Sequence, residues 1–181
     1  DILYSVKSVN PKIKININEI DINSSLFGNY NLENIMAAIS IGLYFGIGIN
    51  KIKNGISKYL PSNNRSEIIK KTNNNIILDA YNANPSSMIL AIKYFEELKL
   101  DNKILVLGDM FELGKETIKF HQEIIDYCEM IDVKKVFLIG NIFSKTTFSK
   151  KFIACLDIKE LIGKKDFINI SNSNFLVKGS R

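Results

Sequence analysis

The sequence predicts an α/β fold: a mostly parallel sheet flanked by helices, preceded by a smaller strand-and-helix segment. Three observations predict it. After residue 66, short apolar runs alternate with stretches of helical periodicity, the pattern of parallel strands joined by crossover helices. Before that, Pro61-Ser-Asn-Asn-Arg-Ser66 is polar and rich in helix and strand breakers, which marks a linker. The loop from Asp79 to Asn84 crowds Asp79, Tyr81, Asn82 and Asn84 between a strand and a helix. In open α/β sheets that corner, at the carboxyl ends of the strands, is where ligands bind.

Taken in order, residues 1 to 27 read as strands. Ile13, Ile15 and Ile17 alternate with Lys14 and Asn16, the period of a half-buried strand. Ile2 to Val6 reads as another, with Asn10-Pro11 as the turn between them. A helix follows from about Asn31, its apolar positions Leu32, Ile35, Met36, Ile39 and Leu43 at helical spacing, and Gly46 and Gly48 end it. A short helix from Asn50 carries Ile52, Ile56 and Tyr59 and stops before Pro61. Beyond the linker, strands are predicted at 76–78, 104–107, 136–139 and 175–177, and helices at 85–99, 116–130 and about 158–163. Asn84 is a good N-cap, and Pro85 suits the first helical position because its missing N–H would be unpaired there.

A chain of 181 residues allows one large domain, or one plus part of another. Hydrophobic content of 46% is ample for a core. The net charge of +5 comes from scattered lysines without a basic stripe or stacking aromatics, so nucleic acid is not the expected partner. Cys128 and Cys155 match no metal-ligand spacing and read as buried small hydrophobes. No signal peptide is seen, and Ile35–Ile49 is too short and too interrupted to span a bilayer. A cytoplasmic protein is expected.

Four segments carry a family resemblance. Asp79-Ala-Tyr-Asn-Ala-Asn-Pro-Ser-Ser-Met88 and Leu107-Gly-Asp-Met-Phe-Glu-Leu-Gly114 are the most specific. Gly28-Asn-Tyr-Asn-Leu-Glu-Asn34 with Ala37-Ala38, and Leu176-Val-Lys-Gly-Ser-Arg181, agree with them. Together they resemble the Mur ligases, and within that family the members that add D-alanyl-D-alanine to UDP-N-acetylmuramoyl-tripeptide. The resemblance implies that residues 1–64 are the carboxyl-terminal tail of a central ATP-binding domain. Residues 65–181 would be a Rossmann-like C-terminal domain, with a further helix after its last segment. It implies ATP, Mg2+, the UDP-linked tripeptide and D-alanyl-D-alanine as what the whole protein binds, and a monomeric full-length form.

Residue types support individual roles. Asn31 and Asn34 lie three apart, on one face at a helix start. An amide offers both donor and acceptor to an adenine edge, and the resemblance implies that role; capping by Asn31 is the alternative. Where the family has His, this chain has Tyr30. Arg65 offers a planar, permanently charged fork to a phosphate, or is a solvated linker charge. The family has glycine before this arginine, and Asn64 stands there. Asp79 is the candidate ribose ligand, or a strand-end residue bonding its own backbone. Asn82 and Asn84 are placed to meet D-alanyl-D-alanine, and Lys178 and Ser180 to hold its carboxylate by charge-assisted bonds. Asp109 and Glu112 are a possible carboxylate pair for acid–base work, but Glu112 and Gly114 are better read as shaping a turn. His121, the only histidine, reads as structural or interdomain.

No Gly-x-x-x-x-Gly-Lys-Ser/Thr phosphate loop occurs. The family carries that loop, its Mg2+ ligands and a modified lysine in the central domain. No catalytic residue and no metal ligand is therefore expected in this chain, and it is expected to be inactive alone. A non-enzymatic α/β module binding a nucleotide or peptide is the alternative.

Overall fold

The computed structural model describes residues 2–9, 12–26 and 28–180. The chain forms two compact units, Asp1–Ser62 and Asn63–Arg181. The predicted turn at Asn10-Pro11 and the last residue, Arg181, lie outside the described residues.

The first unit is an antiparallel three-stranded sheet, β1 (Ser5–Ser8), β2 (Lys14–Ile17) and β3 (Ile20–Asn23), in that order. A 3-10 turn at Asn29–Asn31 leads into α1 (Leu32–Tyr44), and α2 (Ile49–Lys58) follows. The period-2 pattern of β2 buries Ile15 and Ile17 with Ile13 and Ile22, and Ile35, Ile39 and Ile52 of the helices close over them. The first strand starts later than predicted, and β3 is an addition to the two strands named above. α1 is apolar on both sides: Ala37, Ile41 and Tyr44 form a second stripe that is exposed, with Phe45 beyond it. A helix apolar all round is normally covered on both sides.

The second unit is a six-stranded sheet, built from β4 (Glu67–Lys71), β5 (Asn74–Asp79), β6 (Lys103–Gly108), β7 (Lys135–Ile139), β8 (Phe152–Cys155) and β9 (Ser173–Lys178). Its order is β4-β5-β9-β6-β7-β8. Only β4 runs antiparallel, paired with β5 at the edge. The crossovers carry α3 (Pro85–Glu97), α4 (Thr117–Met130), and the short α5 (Ile158–Gly163) and α6 (Lys165–Ile168). All the strands and helices predicted after the linker are present within a few residues. β4, β8 and α6 were not foreseen: β4 is a charged edge strand, and β8 and α6 are four residues each. On one sheet face Ile104, Val106, Phe137, Cys155 and Phe175 pack with Leu161 and Phe167. Leu105, Leu107, Val136, Leu138 and Leu176 alternate to the other face and are buried as well. Burial on both faces is why these strands read as continuous apolar runs.

The insertion of β9 between β5 and β6 positions everything that follows. Lys178 pairs in register with Asp79 on one side and Leu107 on the other. Where β6 and β9 end, the backbones of Gly108 and Gly179 meet: a Cβ on Gly179 would lie 2.8 Å from Gly108 Cα. An apolar cavity of about 430 Å³ opens elsewhere, between the sheet face and α5–α6, and includes Ile76, Leu161 and Phe167 in its wall. Among the described residues no helix is long and apolar enough to cross a membrane.

Gly179→Ala tests the close approach. Backbone cannot yield as a side-chain tip does, so the variant is expected to lose about 1–3 kcal/mol in urea unfolding of the chain.

Candidate functional site

The carboxyl ends of β5, β9 and β6 form a polar corner centred on Asp79. Its carboxylate is mostly sheltered, with 16% of the side chain exposed, and the Lys178 side chain is 4% exposed. Lys178 Nζ donates to Asp79 Oδ2 at 2.6 Å. The same ammonium lies 3.4 Å from the Asp79 carbonyl oxygen and 3.5 Å from that of Asn82. The other carboxylate oxygen, Asp79 Oδ1, accepts from the Ser66 backbone N–H at 3.1 Å and the Ser66 hydroxyl at 3.2 Å. The antiparallel register of β4 with β5 sets Glu67 opposite Leu78, which brings Ser66 beside Asp79.

The loop after Asp79 is held on both sides. Arg65 stacks its guanidinium on the Tyr81 ring, 3.5 Å from the centroid, a cation–π contact. Asn82 Oδ1 accepts from the Ala83 N–H, and the Ser180 hydroxyl donates to Ala83 O at 3.1 Å with Asn82 Oδ1 at 3.4 Å. Asn84 caps α3 through a capping box with Ser87. Asn82 and Asn84 are both exposed.

The neighbouring corner is built around Asp109, just past β6. Its carboxylate accepts from the Ile142 and Phe143 N–H groups, both at 2.9 Å. Gly140, at φ +127°, makes room for it: a Cβ there would sit 2.2 Å from Asp109 Oδ2. His121, fully buried on α4, accepts from the Met110 N–H at 2.9 Å through Nε2. Its Nδ1 lies 2.7 Å from Thr117 O. A carbonyl can only accept, so Nδ1 carries the proton and the ring is neutral. Burial holds its pKa below the usual 6.5, against the opposing pull of the Thr117 carbonyl and, less, of Asp109. Ser180 ties this corner to the first, donating its N–H to Asp109 O and accepting from the Phe111 N–H. Glu112 and Gly114 both have positive φ, 62° and 64°, the turn geometry expected of them. Asp109 is thus an acceptor for two amides of the turn after β7. Burial also pushes the Cys128 thiol up to about 12, which leaves it an unreactive small hydrophobe.

The structure thus brings Arg65, Asp79, Asn82, Lys178 and Ser180 into one corner, with Asn84 at its rim. Lys178, expected to face a dipeptide carboxylate, is committed to Asp79 and two carbonyls. Asn31 and Asn34 belong to the first unit, where Asn34 donates to Asn31 Oδ1 at 3.2 Å. Asn31 occupies the N-cap position of α1 without a side-chain capping bond. Ser66 was not foreseen as a site residue. Its signal was the β4–β5 hairpin, which places the residue before β4 opposite the end of β5. Asn64 has φ 59°, a conformation that Asn tolerates better than most residues. Among the described residues no group of three or more His, Cys, Asp or Glu is placed to hold a metal ion.

Residues 64–172 match the family model described as Mur ligase, glutamate ligase domain. The chain belongs to the Mur ligase family. Over 168 residues it is 35% identical to the UDP-N-acetylmuramoyl-tripeptide–D-alanyl-D-alanine ligase of Buchnera aphidicola subsp. Acyrthosiphon pisum (strain APS), a match covering 90% of this chain and 36% of that protein. The chain thus spans about a third of that Mur ligase relative's length. A crystal structure of MurF from Acinetobacter baumannii superposes with a TM-score of 0.85 at 22% identity, covering 100% of this chain and 42% of that one. MurF from Thermotoga maritima in complex with ADP superposes with a TM-score of 0.77 at 19% identity, covering 98% and 42%. At these identities the superpositions establish the fold, a Mur ligase C-terminal architecture.

His121 makes the stability of the second unit pH-dependent. Its folded pKa is depressed, so the unfolded chain takes up a proton that the folded one resists. Its contribution is complete above about pH 6.5 and declines as pH falls below that, with a slope of at most about 1.4 kcal/mol per unit. Urea midpoints measured from pH 8 to pH 5 are expected to show this decline, and His121→Gln to remove it.

Proposed function

We propose that this chain is the carboxyl-terminal part of an ATP-dependent ligase that joins D-alanyl-D-alanine to UDP-N-acetylmuramoyl-tripeptide in peptidoglycan precursor synthesis, in the cytoplasm. The observation that carries this reading is the convergence on Asp79. Linker, first loop and last strand are far apart in sequence, yet they meet at the carboxyl edge of the sheet in a chain 35% identical to such a ligase. Residues 1–64 are read as the tail of the central ATP-binding domain and 65–181 as the C-terminal domain. The exposed apolar stripe of α1, with Leu3 and Tyr4 also exposed, supports a first unit that belongs to something larger.

In the proposed reaction ATP phosphorylates the terminal carboxylate of the tripeptide. The dipeptide amine then attacks the acyl phosphate, and phosphate leaves from the tetrahedral intermediate. Within the second unit Asp79 is read as facing the ribose and Arg65 as reaching the phosphates; Asn31 and Asn34 of the first unit are assigned to the adenine by the resemblance alone. Asn82, Asn84 and Ser180 offer exposed or half-exposed polar groups to the dipeptide, while Lys178 acts through Asp79. Mg2+ would neutralise phosphate charge, and on this reading its ligands lie outside this chain. Presenting the amine in line with the acyl phosphate is the chief contribution of the C-terminal domain, and positioning of that kind lowers barriers by several kcal/mol.

The test compares this chain alone with the chain joined to the remainder of a full-length relative, of which it spans about a third. ADP release that depends on both tripeptide and D-alanyl-D-alanine is expected from the joined protein and not from the chain alone. Ligation by the 181-residue chain would overturn the division of labour. A joined protein that binds nucleotide without ligating would favour a binding module.

A further inference from the structure

We infer that Lys178 and Ser66 are positioning residues, which clasp the Asp79 carboxylate between them and through it fix the linker that carries Arg65. A lysine ammonium has three N–H donors, and Lys178 has three acceptors inside the protein: Asp79 Oδ2, Asp79 O and Asn82 O. β9 lies between two neighbours and Lys178 is 3% exposed. Its charge is directed at Asp79, and nothing of it is left over for a molecule outside.

The opposite side of the carboxylate holds the linker. Asn63, Asn64 and Ser66 have φ of 58°, 59° and 52°. Serine is not at ease in the left-handed region, and such backbone persists where its surroundings over-determine it. Here the restraint is the pair of bonds from the Ser66 N–H and hydroxyl to Asp79 Oδ1. The residue between the strained positions is Arg65, stacked on Tyr81. Force therefore passes from Lys178 to Asp79, from Asp79 to Ser66, and from Ser66 to Arg65.

The consequence is that Asp79 and Arg65, fourteen residues apart in sequence, are held as one unit. As a device for presenting a nucleotide site, this rests on the reading of those two residues given above. The clasp itself does not, and its test uses no nucleotide.

The bond between Arg65 and Ser66 is a trypsin site at the clasped amide. Limited digestion of the 181-residue chain, followed by mass spectrometry, reads its opening against internal reference sites in the core strands, Lys103 of β6 and Lys135 of β7. Ser66→Ala is expected to raise cleavage after Arg65 by about fivefold, the change in local opening that losing one hydrogen bond produces, and Lys178→Met, which loses three bonds and leaves Asp79 without its cation, by more. Cleavage after Lys103 and Lys135, which requires the sheet to open, is expected to stay constant, which a general loss of stability would not allow. If Lys178→Met unfolds the domain, all sites accelerate together and Ser66→Ala decides. Unchanged cleavage after Arg65 in Ser66→Ala, or an equal rise at every site in that variant, would overturn the proposal.

Discussion

One carboxylate organises the end of this sheet. Asp79 closes β5, the lysine of the neighbouring strand donates to one of its oxygens, and the linker serine donates twice to the other. A mostly buried ion pair gains little stability over an apolar pair of the same shape, but removing one partner is costly. Such a pair therefore specifies an arrangement more than it strengthens one. What it specifies here is the meeting of three segments that the chain keeps far apart. The topology makes this possible: β9 follows β6, β7 and β8 in sequence, yet it lies beside β5, the first parallel strand of the sheet.

The second corner follows the same logic with different groups. Asp109 ties the loop after β6 to the turn after β7 through two amides, and neutral His121 takes the Met110 N–H. The glycines at 108, 140 and 179 are where backbone or carboxylate comes too close for a side chain. Ser180 joins the two corners with its N–H and its hydroxyl. The exposed amides of Asn82 and Asn84 thus project from a rim whose every support is buried or bonded. That is the condition for a loop to hold polar groups in fixed positions.

Much of this was legible in the sequence. Apolar runs such as Ile104–Leu107 and the capping pattern at Asn84-Pro85 gave the strands and α3 directly, because burial on both sheet faces and backbone capping each leave a local trace. Glu112 and Gly114 were readable as turn residues for the same reason. Partners were harder. Lys178, at the carboxyl end of a strand, suits a dipeptide carboxylate by its sequence position, and nothing local says that the adjacent strand ends in Asp79. Ser66 gave no signal of its own; only the register of an edge strand, itself obscured by Glu67, Lys70 and Lys71, sets it opposite that carboxylate. Long-range pairing is decided by sheet order, and sheet order is not written in any one segment.

The account stands or falls on the bonds at Asp79 Oδ1, and the Ser66 amide reports on them directly. Hydrogen exchange of that amide, read residue by residue by NMR, is predicted to be slow, close to the rate of the β5 core amides, and to become fast in Asp79→Ala. An amide at Ser66 that exchanges as freely as those of exposed Asn63 and Asn64 in the unaltered chain would contradict the account.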